Sequence, residues 1–217
     1  MKAIVFDTET TGKFDPVLIE GAWLEIPSIN PFSTGQSFCQ RYNPGKLIEL
    51  GALATHHIYD EELEDCPPAN TFSLPESVEY VIGHNIDYDW GVIGNPNVKR
   101  ICTLALARRT WPELDAYSQS ALFYFLDRQN ARDILKNAHS AATDVEVCAK
   151  ILRAICEKIQ VHSFEQLWER SEVARVPIKM PFGKHKGELI KDIPADYRRW
   201  LVSQTDLDPY LVKALMQ

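Results

Sequence analysis

Asp7-Thr8-Glu9 puts two carboxylates two residues apart at the end of an apolar run, Ala3 to Phe6. Side chains two apart on a strand face the same way, with Cα atoms about 6.5 to 7 Å apart, so both can converge on one point. Like charges at the edge of a core repel each other, and a divalent cation between them removes the repulsion. Taken alone, Asp-x-Glu reads equally well as a solvated strand end before the turn Thr10-Thr11-Gly12. A third acid changes that balance. Val147, Cys148, Ile151, Leu152 and Ile155 form a stripe at helical spacing, and Asp144 extends its buried face. A carboxylate there needs a partner, and a metal shared with Asp7 and Glu9 is one; the alternative is a first-turn acid that complements the helix dipole. His139 precedes Asp144 by five residues, about 140° round an ideal helix, so it is expected on a loop before the helix. An imidazole there can take a proton near pH 7 without being a permanent ligand. A further acidic group, Asp87 and Asp89, follows the apolar run Tyr80-Val81-Ile82 within Gly83 to Trp90. Spacing does not choose between these two, and Tyr88 and Trp90 either pack in the core or approach a base.

The elements that must position these groups are legible in outline. Three strands are expected at Ala3 to Phe6, Leu18 to Ile26 and Ser37 to Tyr42, joined by short connections that favour an antiparallel meander. Helical stretches are expected near Ile58 to Glu64 and Pro75 to Glu79, then a buried strand at Tyr80 to Ile82 and a short apolar one at Ile101 to Thr103. Helices follow at Leu104 to Arg109, Ser118 to Asp127 and Ala141 to Ile159, and a Ser163/Gln166 capping box opens one to about Arg170. Strands first and helices alternating later imply an α/β protein with a mixed sheet covered by helices. The composition changes after this. Val176-Pro177, Met180-Pro181 and Gly183 to Gly187 mark a linker and a basic hairpin-like turn, and a last helix is expected from Pro209 to Met216. We therefore divide the chain into residues 1–174 and a small C-terminal module, 175–217.

With 217 residues, 45% hydrophobic and 24% charged, the chain has the proportions of a globular protein, which excludes disorder and collagen. No apolar run approaches the roughly 18 residues of a membrane helix, and the N-terminus lacks a signal peptide, so a cytoplasmic location without membrane association is expected. Five widely spaced cysteines with no Cys-x-x-Cys pair suggest reduced core residues. The net charge of −7 argues against a non-specific polyanion binder, but its distribution is uneven. Residues 175–217 hold eight Lys/Arg against five acids, and Lys99, Arg100, Arg108 and Arg109 form a second basic stretch.

Asp-Thr-Glu-Thr-Thr-Gly at 7–12, His-Asn-x-x-Tyr-Asp at 84–89 and His-x-Ala-x-x-Asp at 139–144 together resemble, in order and separation, the three motifs of the DEDDh family of 3′-5′ exonucleases. The resemblance covers residues 1 to about 160 and implies a ribonuclease H-like sheet. It assigns Asp7, Glu9, Asp89 and Asp144 as metal ligands and His139 as the general base. Asp87 then falls at a variable position, and Tyr88 stands where the family often has Phe. The implied chemistry is hydrolysis at two divalent ions, Mg²⁺ or Mn²⁺, with release of 5′-mononucleotides from a DNA 3′ end, single-stranded or frayed, in repair or proofreading. Thr8, Thr10 and Asn85 are candidate substrate contacts, and Ala54-Thr55-His56-His57-Ile58 resembles the loop that touches the last base or sugar. Lys13 replaces the family's usual Leu.

Residues 102–112 and the tail, with Pro181 to Gly187, Pro194, Tyr197 and Trp200-Leu201, resemble a branch of the family that carries a small C-terminal module. In that module Lys184 and Lys186 either grip phosphate or belong to a solvated hairpin whose aromatics build a mini-core. Gln119 to Phe123 resembles a sliding-clamp peptide, but the same residues fit an amphipathic core helix, which is the favoured reading. Two other functions compete: an exoribonuclease of the same family, since two-metal hydrolysis does not itself read the sugar, and a non-catalytic nucleic-acid-binding module. The complete set Asp7, Glu9, Asp89, His139 and Asp144 argues against the last.

Overall fold

The structure is a computed structural model and describes residues 2–205 and 207–217. It divides into two compact units, Met1–Ser171 and Glu172–Gln217. The strands are β1 (Ala3–Thr10), β2 (Leu18–Glu25), the two-residue β3 (Ser28–Ile29) and β4 (Phe32–Ser33), β5 (Ser37–Arg41), β6 (Tyr80–Gly83) and β7 (Lys99–Cys102). The helices are α1 (Leu50–His56), α2 (Asp87–Val92), α3 (Thr103–Thr110), α4 (Gln119–Leu126), α5 (Arg128–Ile134), α6 (Ala141–Ile159), α7 (Phe164–Arg175), α8 (Ala195–Val202) and α9 (Pro209–Leu215).

The main sheet runs β5-β2-β1-β6-β7. β2 pairs antiparallel with both β1 and β5, whereas β6 runs parallel to β1 and β7 parallel to β6. β1 is therefore the central strand, and Ala3, Ile4, Val5 and Phe6 are all fully buried. This is why its sequence is a continuous apolar run rather than an alternating one. Three parallel strands ending at one edge leave a crevice beyond their C-terminal ends, where ligands of open α/β sheets bind. Gly83 closes the end of β6. A Cβ there would lie 2.9 Å from the Phe6 carbonyl oxygen and 2.7 Å from Ile86 Cδ1, so only glycine lets the two strand ends approach. Helix α6 buries the expected stripe: Val147, Cys148, Ile151, Leu152 and Ile155 are at most 2% exposed.

Several expectations need correction. The helix expected at 58–64 is only a 3₁₀ turn, Asp60–Leu63, and the stretch 75–79 is a turn. α1 lies just before the first of these and was hidden by Gly51 and by an exposed Leu50 at its start. α5 escaped because its sequence is polar and only Ala131 is buried. The cysteines are not uniformly core residues, since Cys39 is exposed and Cys66 partly so. Helix α7 passes through position 174, because Pro177 is the first residue that must stop it. No helix among the described residues is long and apolar enough to cross a membrane.

Candidate active site

β1 carries Asp7 and Glu9 to the parallel edge of the sheet, and a break in register between Glu9 and Thr10 ends the regular pairing there. α6 brings Asp144 to the same place from its first turn. Asp7, Glu9 and Asp144 each offer a carboxylate oxygen within 4.8 Å of the others. Asp89 reaches the site from α2 and is buried at 5% exposure. Its Oδ1 accepts hydrogen bonds from the Thr8 backbone N–H at 3.0 Å and the Thr8 hydroxyl at 2.6 Å. Thr8 thus faces away from its two acidic neighbours and ties β1 to α2. Asp87 takes another course, ion-paired with Arg100. Burial separates the two acids within Gly83 to Trp90: Asp89 turns inward and Asp87 turns to a cation.

The four acids perturb one another. Asp7 is held well above the usual carboxylate range, first by removal from water and then by the charges of Asp89, Asp144 and Glu9. Burial, followed by the charges of Asp144, Glu20 and Asp89, pushes Glu9 up to about 8. Asp89 is raised to about 7 by burial, against the opposing hydrogen bonds from Thr8. Asp144 is raised by burial and eased by the nearby His139. The arrangement gathers acids in a largely half-buried place, and the groups it offers are all oxygen, the donor set that suits hard divalent ions.

His139 is exposed, has a φ of 66° and lies just before α6, on the expected loop. Its backbone N–H donates to Asp144 Oδ2 at 3.2 Å, which ties the loop to the first turn of α6. Sequence reasoning missed what holds this end of α6. Ser140 makes no side-chain cap. Instead Glu20, opposite Glu9 in the antiparallel register, accepts the Ala141 N–H on Oε1 at 3.0 Å. Its Oε2 takes the Arg41 Nε–H at 3.2 Å, and Arg41 Nη1 donates to Glu62 at 2.8 Å. The signal was Glu20 flanked by Ile19 and the Gly21-Ala22 pair in a mostly apolar strand, where a buried acid must have partners. Gln119, the first residue of the clamp-like peptide, donates to the Asp144 carbonyl oxygen at 3.1 Å, while Leu122 and Phe123 of that peptide are buried.

Beside the acids is a cleft of about 460 Å³, lined in part by Thr8, Glu9, Thr10, Glu49, His56 and Tyr88. Thr8, Thr10 and His56 therefore line one cleft with Glu9. The Nδ1 of His56 accepts the Ile58 N–H at 3.0 Å, which places the ring proton on Nε2. That Nε2 is buried and faces the Thr10 backbone, but not at ordinary hydrogen-bond geometry. Burial also lowers the His56 pKa, keeping the ring neutral. Tyr88 donates to the Gly12 carbonyl oxygen at 3.0 Å and sits 2.7 Å from the Thr10 hydroxyl, so its hydroxyl pins the turn after β1. The Glu49 carboxylate packs against Gly12, where a Cβ would have to displace it. Asn85 is elsewhere, in a shallow opening with His84, Leu104, Arg108 and Tyr117. Lys184 and Lys186 belong to the C-terminal unit, where both are exposed.

A mixed five-stranded sheet of this order, with acids gathered at its parallel edge, is the ribonuclease H-like arrangement, and the chain is a relative of the DEDDh 3′-5′ exonucleases that share it. In particular, it is similar to exodeoxyribonuclease 10 of Escherichia coli, with 26% identity over 215 residues, covering 93% of this chain and 91% of that one. It is 27% identical over 179 residues to the DNA polymerase III subunit epsilon of Salmonella typhimurium, covering 71% of each. Among solved structures, exonuclease X in complex with 5′ overhanging duplex DNA superposes with a TM-score of 0.64 at 24% identity, over 78% of this chain and 99% of that one. Escherichia coli exonuclease I in complex with a dA16 oligonucleotide gives a TM-score of 0.58 at 16% identity, over 82% and 45% of the two chains. A family model described as "Putative quorum-sensing-regulated virulence factor" matches residues 171–206.

Proposed function

We propose that the protein is a 3′-5′ exodeoxyribonuclease that uses a pair of Mg²⁺ or Mn²⁺ ions to release 5′-mononucleotides from single-stranded or frayed DNA 3′ ends. The observation that carries this reading is the convergence of Asp7, Glu9 and Asp144 within 4.8 Å from two separate elements, with buried Asp89 clamped beside them by Thr8. Asp7, Glu9, Asp89 and Asp144 would hold the ions. When bound, such ions supply the Lewis acidity that lowers the pKa of water and offsets the charge of the scissile phosphate. His139, exposed and tied through its N–H to Asp144, accepts the proton of the attacking water. Glu9 lines both the acidic group and the cleft, so it orients that water against the terminal nucleotide. The buried Nε2–H of His56 and the pinned turn at Thr10 receive the terminal nucleoside. The relatives support DNA as the polymer: two are named for it.

The test uses purified protein with labelled DNA and RNA strands in Mg²⁺, Mn²⁺ or chelator. We expect stepwise release of 5′-mononucleotides from the DNA 3′ end, slower cleavage of RNA and none in chelator. His139→Ala should lower turnover while calorimetric Mn²⁺ affinity stays within about threefold, since a base that is not a ligand leaves the metal shell intact. Asp89→Ala should inactivate and Asp87→Ala should not. Degradation from the 5′ end, or turnover that survives both chelator and Asp144→Ala, defeats the reading.

A further inference from the structure

The C-terminal unit, Glu172–Gln217, builds its own small core from residues that include Met180, Ile190, Ile193, Leu201, Leu211 and Leu215. The unit leaves Val173, Ile178, Phe182, Trp200 and Met216 in water, and among these Trp200 is joined to a row of rings beside the basic turn. Trp200, on α8, is 54% exposed. Its ring centroid lies 5.3 Å from that of Tyr197, and the Tyr197 ring lies 4.6 Å from the His185 imidazole in an edge-on contact. His185 Nδ1 is held 2.9 Å from Glu188 Oε2. The turn is folded close to these rings: Gly183 has a φ of 73°, and a Cβ there would stand 3.3 Å from the Tyr197 hydroxyl. Three rings therefore run in contact from the basic turn to α8. Exposed Lys184, Lys186 and Arg199 belong to the same turn and helix. Residues 184–199 hold five Lys/Arg against Glu188, Asp192 and Asp196, whereas the chain outside 175–217 carries a strong negative excess.

We propose that this face binds single-stranded DNA, with a base stacked on Trp200 and phosphates beside Lys184, Lys186 and Arg199. The identity of the polymer rests on the exonuclease reading; the surface chemistry does not. A duplex would use the cations but keeps its bases stacked on one another, and an apolar protein partner would use the ring but not the cations. Only an unpaired strand uses both, because each base presents a face for stacking and each linkage presents a charge.

The experiment uses the full chain in chelator, so that labelled oligo-dT is not cut and the uncompensated acids of the other unit contribute little attraction. Affinity is read by fluorescence anisotropy across a salt series. Trp200→Ala should weaken binding at least about fivefold, the lower end of the effect of removing one stacked base. Trp200→Leu should weaken it similarly, and Trp200→Phe should recover most of it, with melting temperatures unchanged because the ring is exposed. Lys184→Ala with Lys186→Ala should reduce the slope of log affinity against log salt by about 1.4, as expected when two phosphates of a single strand are no longer neutralised. Unchanged affinity in Trp200→Ala, wild-type affinity in Trp200→Leu, or an equal loss on a blunt duplex of the same length would each overturn the proposal. Hydrolysis of the nitrophenyl ester of thymidine monophosphate by the wild-type protein in Mn²⁺ tests the nuclease reading separately. If that ester and the strand both survive while Trp200 still governs oligo-dT affinity, the nuclease reading falls and the binding face stands.

Discussion

The two units treat charge in opposite ways. In Met1–Ser171 four carboxylates are drawn out of water beside one another, and the burial that brings them together also raises their pKa values. In Glu172–Gln217 the cations of the basic turn stay in water, and the ring at their side is left exposed. The difference teaches what each surface is suited for. A site that must stabilise a changing charge distribution needs fixed groups in a dry setting, where the field is strong and reorganisation is small. A surface that holds a flexible polymer needs only reach, charge and an open face, and tolerates solvent.

The largest test of this contrast is neutralisation of one half-buried acid. Asp7→Asn or Asp144→Asn should reduce DNA hydrolysis by on the order of a thousandfold or more, as removal of a metal ligand does, while raising the melting temperature in chelator by a few degrees. A gain of stability with loss of activity is the signature of charge assembled for chemistry rather than for the fold. If the variant instead melts lower, the acids are structural.

A smaller effect should follow at Glu20. Its carboxylate holds the Ala141 N–H and Arg41, so Glu20→Ala frees the end of α6 that carries Asp144 and adjoins the His139 loop. We expect turnover and Mn²⁺ affinity to fall roughly 10- to 100-fold, the usual cost of losing a group that orients metal ligands. Glu20→Gln, which keeps an acceptor for the Ala141 N–H, should recover part of the loss. Equal effects of the two variants would point to the charge of Glu20 rather than its hold on the helix.

The raised carboxylates also set a pH dependence. Glu9 near 8 and Asp89 near 7 lie above the values of about 4 they take in an unfolded chain, so the folded state binds more protons. Their contribution to stability is complete below about pH 4 and is lost as pH rises to between 7 and 8. Melting temperature in chelator should therefore decline over that interval, and Mg²⁺ or Mn²⁺ should flatten the decline. Calorimetry at pH 7 in buffers of different ionisation enthalpy should register protons released on Mn²⁺ binding. A flat profile in chelator would remove the electrostatic half of the comparison.

The smallest effect is expected at Tyr88. Tyr88→Phe removes the hydroxyl that bonds Gly12 and Thr10 but keeps the ring, so KM for DNA should rise by about two- to fivefold and stability should fall by about 1 kcal/mol. A change in kcat without one in KM would place the turn's role in chemistry rather than in binding.

Local order was readable wherever the signal was periodic or punctuated. The apolar run of β1, the stripe of α6 and the position of His139 before it follow from continuous hydrophobicity, helical spacing and angular arithmetic, and each involves neighbours within a few residues. The polar α5 and the Gly-containing α1 left no such trace, since their helicity depends on what packs beside them. By itself, then, the sequence determined which residue types could form an acidic site and which elements would carry them. Tertiary structure alone decided that Asp89 rather than Asp87 turns inward, that Glu20 secures α6 across the sheet, and that His56 keeps a buried donor at the cleft. These are contacts between residues from two to more than a hundred positions apart, and they depend on burial. Spacing constrains where a side chain can point, but only the packed sheet determines which charges lose their water.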